Sequence, residues 1–213
     1  MTVATPASPL VTDAAPHPFE RFDDADVQAL IAEYPLAWVT AHHDSAVASL
    51  LPLIGVYDAA GRLTELIGHL ARSNRLYKAL TDAPDATLLF RGPEGYVSPE
   101  QAGLTDWGPT WNYAQLVIRT EIRFDANETA AALDVLIDAM ERDRAEPWTV
   151  AQMGPRYHGM LGAIIGFRAK VIDVQGRFKL AQDERPDVLQ SIIANCPDEA
   201  MQRWIRRFNP GRV

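Results

Sequence analysis

Apolar positions along this chain recur at two periods, one helical and one extended, and the switches between them mark out the elements. In 23–34, "DDADVQALIAEY", Val27, Leu30, Ile31 and Tyr34 stand three and four apart behind acidic capping residues, and Pro35 ends the run. That pattern predicts a helix. Strand character follows in "LAWVTAHH" (36–43) and "AVASLLPLIGVY" (46–57), joined by a turn at Asp44-Ser45, and returns in "LTELIGHL" after the turn "DAAGR". A short helix over 74–80 comes next, with Ser73 placed as its N-cap. Two short strands, "ATLLFRG" and "GYVSP", flank a turn at "GPEG", and the alternation over 110–124 predicts a longer strand crossing the sheet. The segment 127–144 reads as a helix capped by Asn127, with Glu128 in its first turn and Arg142 and Arg144 in its last. Its stripe of Leu133, Leu136, Ile137 and Met140 faces the sheet. A shorter helix around 149–160, a strand in "GAIIGFRAKVIDV" and two short helices split by Pro197 complete the chain.

Six or seven strands with mostly hairpin-length connections favour an antiparallel sheet closed into a small barrel over a doubly wound parallel sheet. The class is α+β. Residues 1–18 hold four prolines and no Lys or Arg, and are expected to form a mobile arm ahead of a single domain over 19–213. With 47% hydrophobic residues the domain can bury a core. Twenty Lys and Arg against 28 Asp and Glu give a net charge of −8, which argues against direct nucleic-acid binding by the isolated domain. Cys196 is the only cysteine, so no intrachain disulfide forms, and a reducing cytoplasm fits best. No apolar run is long enough for a membrane span.

Against that acidic background "GHLARSNRLYKAL" (68–80) concentrates Arg72, Arg75 and Lys78 beside His69, Ser73 and Asn74. A strand ending at Gly68-His69 and a helix opening at Ser73-Asn74 place unpaired backbone N–H groups where a phosphate could sit, with Arg72 as a bidentate grip. The competing reading is a surface helix with solvated cations. A second cluster is "GPTWNYAQ" (108–115), where Trp111 and Tyr113 share one face of a strand and Asn112 takes the other. An aromatic beside an amide suits a flat heterocycle, though the same residues also serve as ordinary strand packing. The five histidines show no metal-ligand spacing, and nucleophile-elbow, Walker and dinucleotide glycine patterns are missing. No metal site and no catalytic residue are assigned.

In order, "GHLARSNRLYKAL", "GYVSP", "PTWNY" and "GAIIGFRAKVIDVQGRFKLAQ" closely resemble the PaiB-like family of FMN-binding negative transcriptional regulators, over about residues 19 to 195. That family is similar to the pyridoxamine-phosphate-oxidase-like flavoproteins. The resemblance implies a six- or seven-stranded, mainly antiparallel split β-barrel with peripheral helices, a homodimer, and FMN held at the subunit interface. It further implies His69, Arg72, Ser73 and Asn74 around the FMN phosphate, with Lys78 as a weaker candidate. Trp111, Asn112 and Tyr113 would lie near the ring or ribityl chain, and Lys179 and Gln182 would reach the flavin from the partner subunit. Three departures stand out: Leu50 where relatives often carry histidine, and Ala181 and Asp183 in the run Lys179-Leu180-Ala181-Gln182-Asp183. The loop between Ser98 and Pro109 is also short and lacks a cation. The alternatives are a flavin-dependent oxidoreductase using NAD(P)H and a family member that has lost FMN.

Overall fold

A computed structural model of the protein describes residues 17–213. The predicted mobile arm therefore lies outside the described residues, except for His17 and Pro18. Helix α1 (Asp24–Glu33) starts where the acidic residues suggest, because Asp23 and Asp26 close a reciprocal capping box. Strands β1 (Leu36–Ala41) and β2 (Asp44–Pro52) form the first hairpin. The predicted single strand over 46–57 is in fact two, β2 and β3 (Ile54–Tyr57). The Leu53 N–H still donates to the carbonyl of Pro35, the residue opposite it in the β1–β2 register, and beyond Leu53 the chain leaves β1 and pairs with β4 instead.

The remaining strands are β4 (Leu63–Ala71), β5 (Asp85–Val97), β6 (Thr110–Phe124) and β7 (Ile164–Lys179). Together the seven make one sheet in the order β2-β1-β5-β6-β7-β4-β3, every neighbouring pair antiparallel. The two edge strands, β2 and β3, are separated in sequence by Leu53 alone. A flat sheet cannot satisfy that connection, so the sheet must curl until its edges meet. The ring of hydrogen bonds stays open, which corrects the expectation of a closed ladder and gives a split barrel. Leu53 is fully buried at the seam, and Gly68 of β4 makes room for it: a Cβ there would stand 2.6 Å from Leu53 Cδ2.

Alternation then fills the interior. Val39, Leu66, Leu88, Phe90, Leu116, Ile118 and Ile165 point inward and are fully buried, and they belong to one continuous core. Helix α1 packs at one end of the barrel, where Leu30 meets Gly92 and Ala114 lies alongside. Helix α2 (Arg75–Asp82) packs at the other with Leu76 and Leu80. "GPEG" is not a turn between two strands. Gly92 and Pro93 form a bulge inside β5, whose register with β6 shifts between Arg91 and Glu94.

The outer helices follow the sequence with shifted boundaries. A short α3 (Pro99–Ala102) occupies what reads as loop, capped reciprocally by Ser98 and Gln101. Helix α4 (Thr129–Glu141) begins later than predicted because Asp125, not Asn127, caps a preceding 3-10 turn. Its buried face is Thr129, Ala132 and Leu133, while Met140 is exposed. Helix α5 (Arg156–Ala163) leads into β7, and α6 (Pro186–Asn195) and α7 (Glu199–Arg207) bracket Pro197 as expected. Stacked rings tie α7 to the end of β7: Phe178 lies 4.6 Å from Phe208 and 6.1 Å from Trp204, centroid to centroid.

Helix α4 approaches the sheet most closely at Gly166, whose N–H donates to Thr129 Oγ1 at 3.1 Å. A Cβ at Gly166 would sit 2.9 Å from the Thr129 Cα, a backbone atom that cannot swing aside. Gly166→Ala is expected to lower unfolding free energy by about 1–3 kcal/mol, measured as a reduced urea midpoint with unchanged slope.

Candidate functional site

Strand β4 ends at Ala71, and the chain enters α2 through Arg72, Ser73 and Asn74. Asn74 rather than Ser73 is the cap: its Oδ1 accepts from Leu76 N at 3.0 Å. The same side chain donates from Nδ2 to Ser49 Oγ of β2 at 2.9 Å, which fixes the helix against the barrel rim. Backbone amides here are mostly consumed, since Arg72 N donates to Ala163 O, Asn74 N to Ala71 O and Tyr77 N to Asn74 O. The expected row of unpaired N–H groups is therefore corrected. An asparagine cap and a tight turn satisfy those donors internally.

What remains available is side-chain charge. Among the described residues neither Arg72 nor Arg75 has an ion-pair partner, and both are exposed. Arg72 holds its guanidinium carbon 6.0 Å from the Tyr77 ring centroid, at the outer limit of a cation–π contact. Ser73 is exposed beside it. Lys78 is spent on Asp82 at 2.6 Å, one turn along α2. His69 is half-buried, its Nδ1 has no hydrogen-bond partner, and burial holds its pKa below the ordinary 6.5. Two unpaired guanidiniums and a hydroxyl on one exposed turn have the chemistry to receive a phosphate ester, while the His69 Nδ1 lies buried within β4.

The second cluster lies elsewhere. Trp111 and Tyr113 are on the outer face of β6, Trp111 54% exposed and in edge contact with Tyr96 of β5 at 5.8 Å. The Tyr113 hydroxyl accepts from Arg177 Nε at 3.1 Å. Asn112 points inward, is 2% exposed, and has an Nδ2 without a partner. Lys179 pairs with Tyr113 across the β6–β7 ladder, and its Nζ donates to Thr110 Oγ1. It shares a hollow of about 240 Å³ with Asn112 and Glu184, whose carboxyl burial pushes upward in pKa. Gln182 is committed to its own loop, accepting from Leu180 N and donating to Phe178 O. Ala181 in that loop is the one non-glycine residue at positive φ, +62°, among the described residues.

Register measures how far apart the clusters are. His69 pairs with Gly166 and Tyr113 with Lys179, so thirteen residues of β7 separate them, about 40 Å along the strand at ~3.3 Å per residue. In register, His69 stands toward the start of β7, and Trp111, Tyr113 and Lys179 stand at its end. Between the clusters runs an apolar outer face. Leu50, Trp38 and Leu89 are abreast on β2, β1 and β5, with exposures of 48%, 49% and 36%, and Val117 of β6 continues the row. Beside Val117 lies a hollow of about 500 Å³ lined by Gln115, Gln175, Arg177 and Glu20.

Residues 14–173 match the family model described as "Putative FMN-binding domain". The chain belongs to this FMN-binding family. Over 163 residues, 76% of this chain and 77% of its relative, it is 25% identical to a Bacillus subtilis (strain 168) protein named Protease synthase and sporulation protein PAI 2. Its fold is similar to that of an FAD and heme binding protein from Mycobacterium smegmatis, with a TM-score of 0.57 at 15% identity over 76% of this chain and 73% of that one. The flavocytochrome Anf3 from Azotobacter vinelandii is similar with a TM-score of 0.50 at 17% identity, over 75% and 69%. This is an FMN-binding split-barrel protein. Among the described residues no helix is long and apolar enough to cross a membrane.

Sequence reading of this FMN-binding chain passed over Ser49, whose bond to Asn74 spans 25 residues, and Gln115, Gln175 and Arg177, which only the register sets side by side. Their signal was weak: polar residues alternating with core positions read as ordinary solvent-facing strand. Leu50, singled out as a departure, is part of the apolar row. Because His69 has a depressed folded-state pKa, the unfolded chain takes its proton first. Stability is therefore complete above about pH 6.5 and falls as the pH drops from there toward the folded-state pKa. Chemical unfolding between about pH 7 and pH 5 is expected to show this slope, and His69→Gln to flatten it.

Proposed function

We propose that the protein is a cytoplasmic homodimer that holds FMN at the subunit seam and acts as a PaiB-type regulator, its influence on transcription passing through a partner rather than through direct DNA contact. Arg72, Ser73 and His69, with Arg75 alongside, receive the phosphate of one flavin. Trp111 and Tyr113 of the other subunit approach its ring, and Lys179 stands behind them on the adjacent strand. Asn74 serves by fixing the mouth, and Gln182 by shaping the loop after Lys179. When bound, FMN supplies the capacity for electron or hydride transfer. The chain's own residues bind it, orient it and shield it from water.

The observation that carries this reading is the exposed row Leu50, Trp38 and Leu89. Three large apolar side chains abreast, each at least 36% exposed, form a surface that soluble monomers seldom leave bare. A two-fold axis through that face makes the same patch meet itself. It also sets the arginine end of one copy toward the aromatic end of the other, the two ends that thirteen residues of β7 separate within a single chain. The net charge of −8 supports indirect action on DNA, since it repels a duplex away from the two local arginines.

Arg72→Ala is expected to weaken FMN binding about tenfold or more, read from flavin absorbance retained after desalting, because a charge-assisted phosphate contact is lost. Trp38→Glu is expected to yield monomers in analytical ultracentrifugation that retain the fold by circular dichroism but release FMN. Undiminished flavin in Trp38→Glu monomers would show that one chain holds the whole site.

A further inference from the structure

The inward side of β6 carries a feature that flavin at the outer face leaves unexplained. Asn112 is 2% exposed, and its Nδ2 is buried with no hydrogen-bond partner. An amide donor left unpaired in an interior is costly, and interiors retain such groups chiefly where a ligand, ion or water completes them. Asn112 lines a half-open cavity of about 220 Å³ between the ends of β5 and β6 and the helices α6 and α7. Tyr96, Val97, Ile192, Met201 and Ile205 make its walls apolar. An apolar cavity of roughly 150 Å³ takes a benzene ring, so this one accommodates a ring with a substituent.

Charge narrows the class of occupant. No Lys, Arg or His lines the cavity, whereas Glu94 and Asp198 do. Asp198 already accepts from Ala200 N at 2.8 Å and Met201 N at 3.3 Å as the cap of α7, and Glu94 pairs with Arg91. An anion entering here would meet two carboxylates, and the nearest cation named, Arg91, is already taken up by Glu94. We propose that the cavity beneath Asn112 is a binding site for a small, neutral, flat molecule with a carboxamide or carbonyl edge, which the Asn112 carboxamide recognises by hydrogen bonding. The site is separate from the phosphate mouth at Arg72, and Asn112 also borders the hollow that holds Lys179.

The lone cysteine supplies a reporter, because Cys196 lines the same cavity and is partly exposed. Benzamide added to the full chain is expected to bind saturably with one molecule per chain and to slow alkylation of Cys196 by iodoacetamide. Benzoate, the same ring with an anionic edge, is expected to bind at least about tenfold more weakly. Asn112→Leu is expected to cut benzamide affinity about tenfold while leaving the thermal midpoint unchanged or raised, since it removes an orphaned buried amide. Arg72→Ala is expected to leave benzamide binding unaltered. Absence of saturable benzamide binding, equal protection by benzoate, or full affinity in folded Asn112→Leu would overturn the proposal. Should Asn112→Leu fail to fold, the contrast between benzamide and benzoate on the unaltered protein decides the matter.

Discussion

Strands β2 and β3 occupy opposite edges of one sheet, yet Leu53 alone separates them along the chain. That connectivity is the constraint on which the rest of the architecture depends. It forces the sheet to curl, and curling divides every strand residue into an inner and an outer set. The inner set becomes the core, and its two open ends need plugs, which α1 and α2 provide. Closure of the seam rests on small local matters: Leu53 buried, its N–H held by the Pro35 carbonyl, and Gly68 lacking the Cβ that would strike it.

The outer set is where function collects. The inner core could close without any help from Leu50, Trp38, Leu89, Tyr96 or Trp111, which all point outward and remain substantially exposed. Their cost to solubility in an unpartnered chain is offset when a like surface covers them. At the α2 end the same closure brings Asn74 against Ser49 and leaves Arg72 and Arg75 without acidic partners in a chain that is otherwise acidic. Positive charge left unpaired in such a field suits an anion.

Much of this is legible in the amino-acid sequence. Local signals were strong where a cap or a proline set a boundary, as at Asp23, Pro35 and Pro197, and those helices stand as read. Alternation over 110–124 correctly put Trp111 and Tyr113 on the face opposite Asn112. The misreadings came from residues whose partner is distant or whose competition is subtle. Asn74 displaced Ser73 as cap because Ser49 holds its amide from 25 residues away. Gly92 and Pro93 made a bulge rather than a turn because β6 runs past them unbroken. The largest loss was global: no sequence pattern shows that "GHLARSN" and "PTWNY" lie on the two strands flanking β7, toward its opposite ends, since register decides it.

In the proposed arrangement the flavin site is assembled from two subunits, the phosphate grip from one and the aromatic wall from the other. Co-expression of Arg72→Ala and Trp111→Ala chains carrying different tags, with purification through both tags, isolates the mixed dimer, and its flavin content is the deciding measurement. Each variant alone is expected to bring down little FMN, whereas the mixed dimer pairs one intact half with another and recovers about half the wild-type flavin per chain. A mixed dimer as colourless as its parents would contradict a shared site.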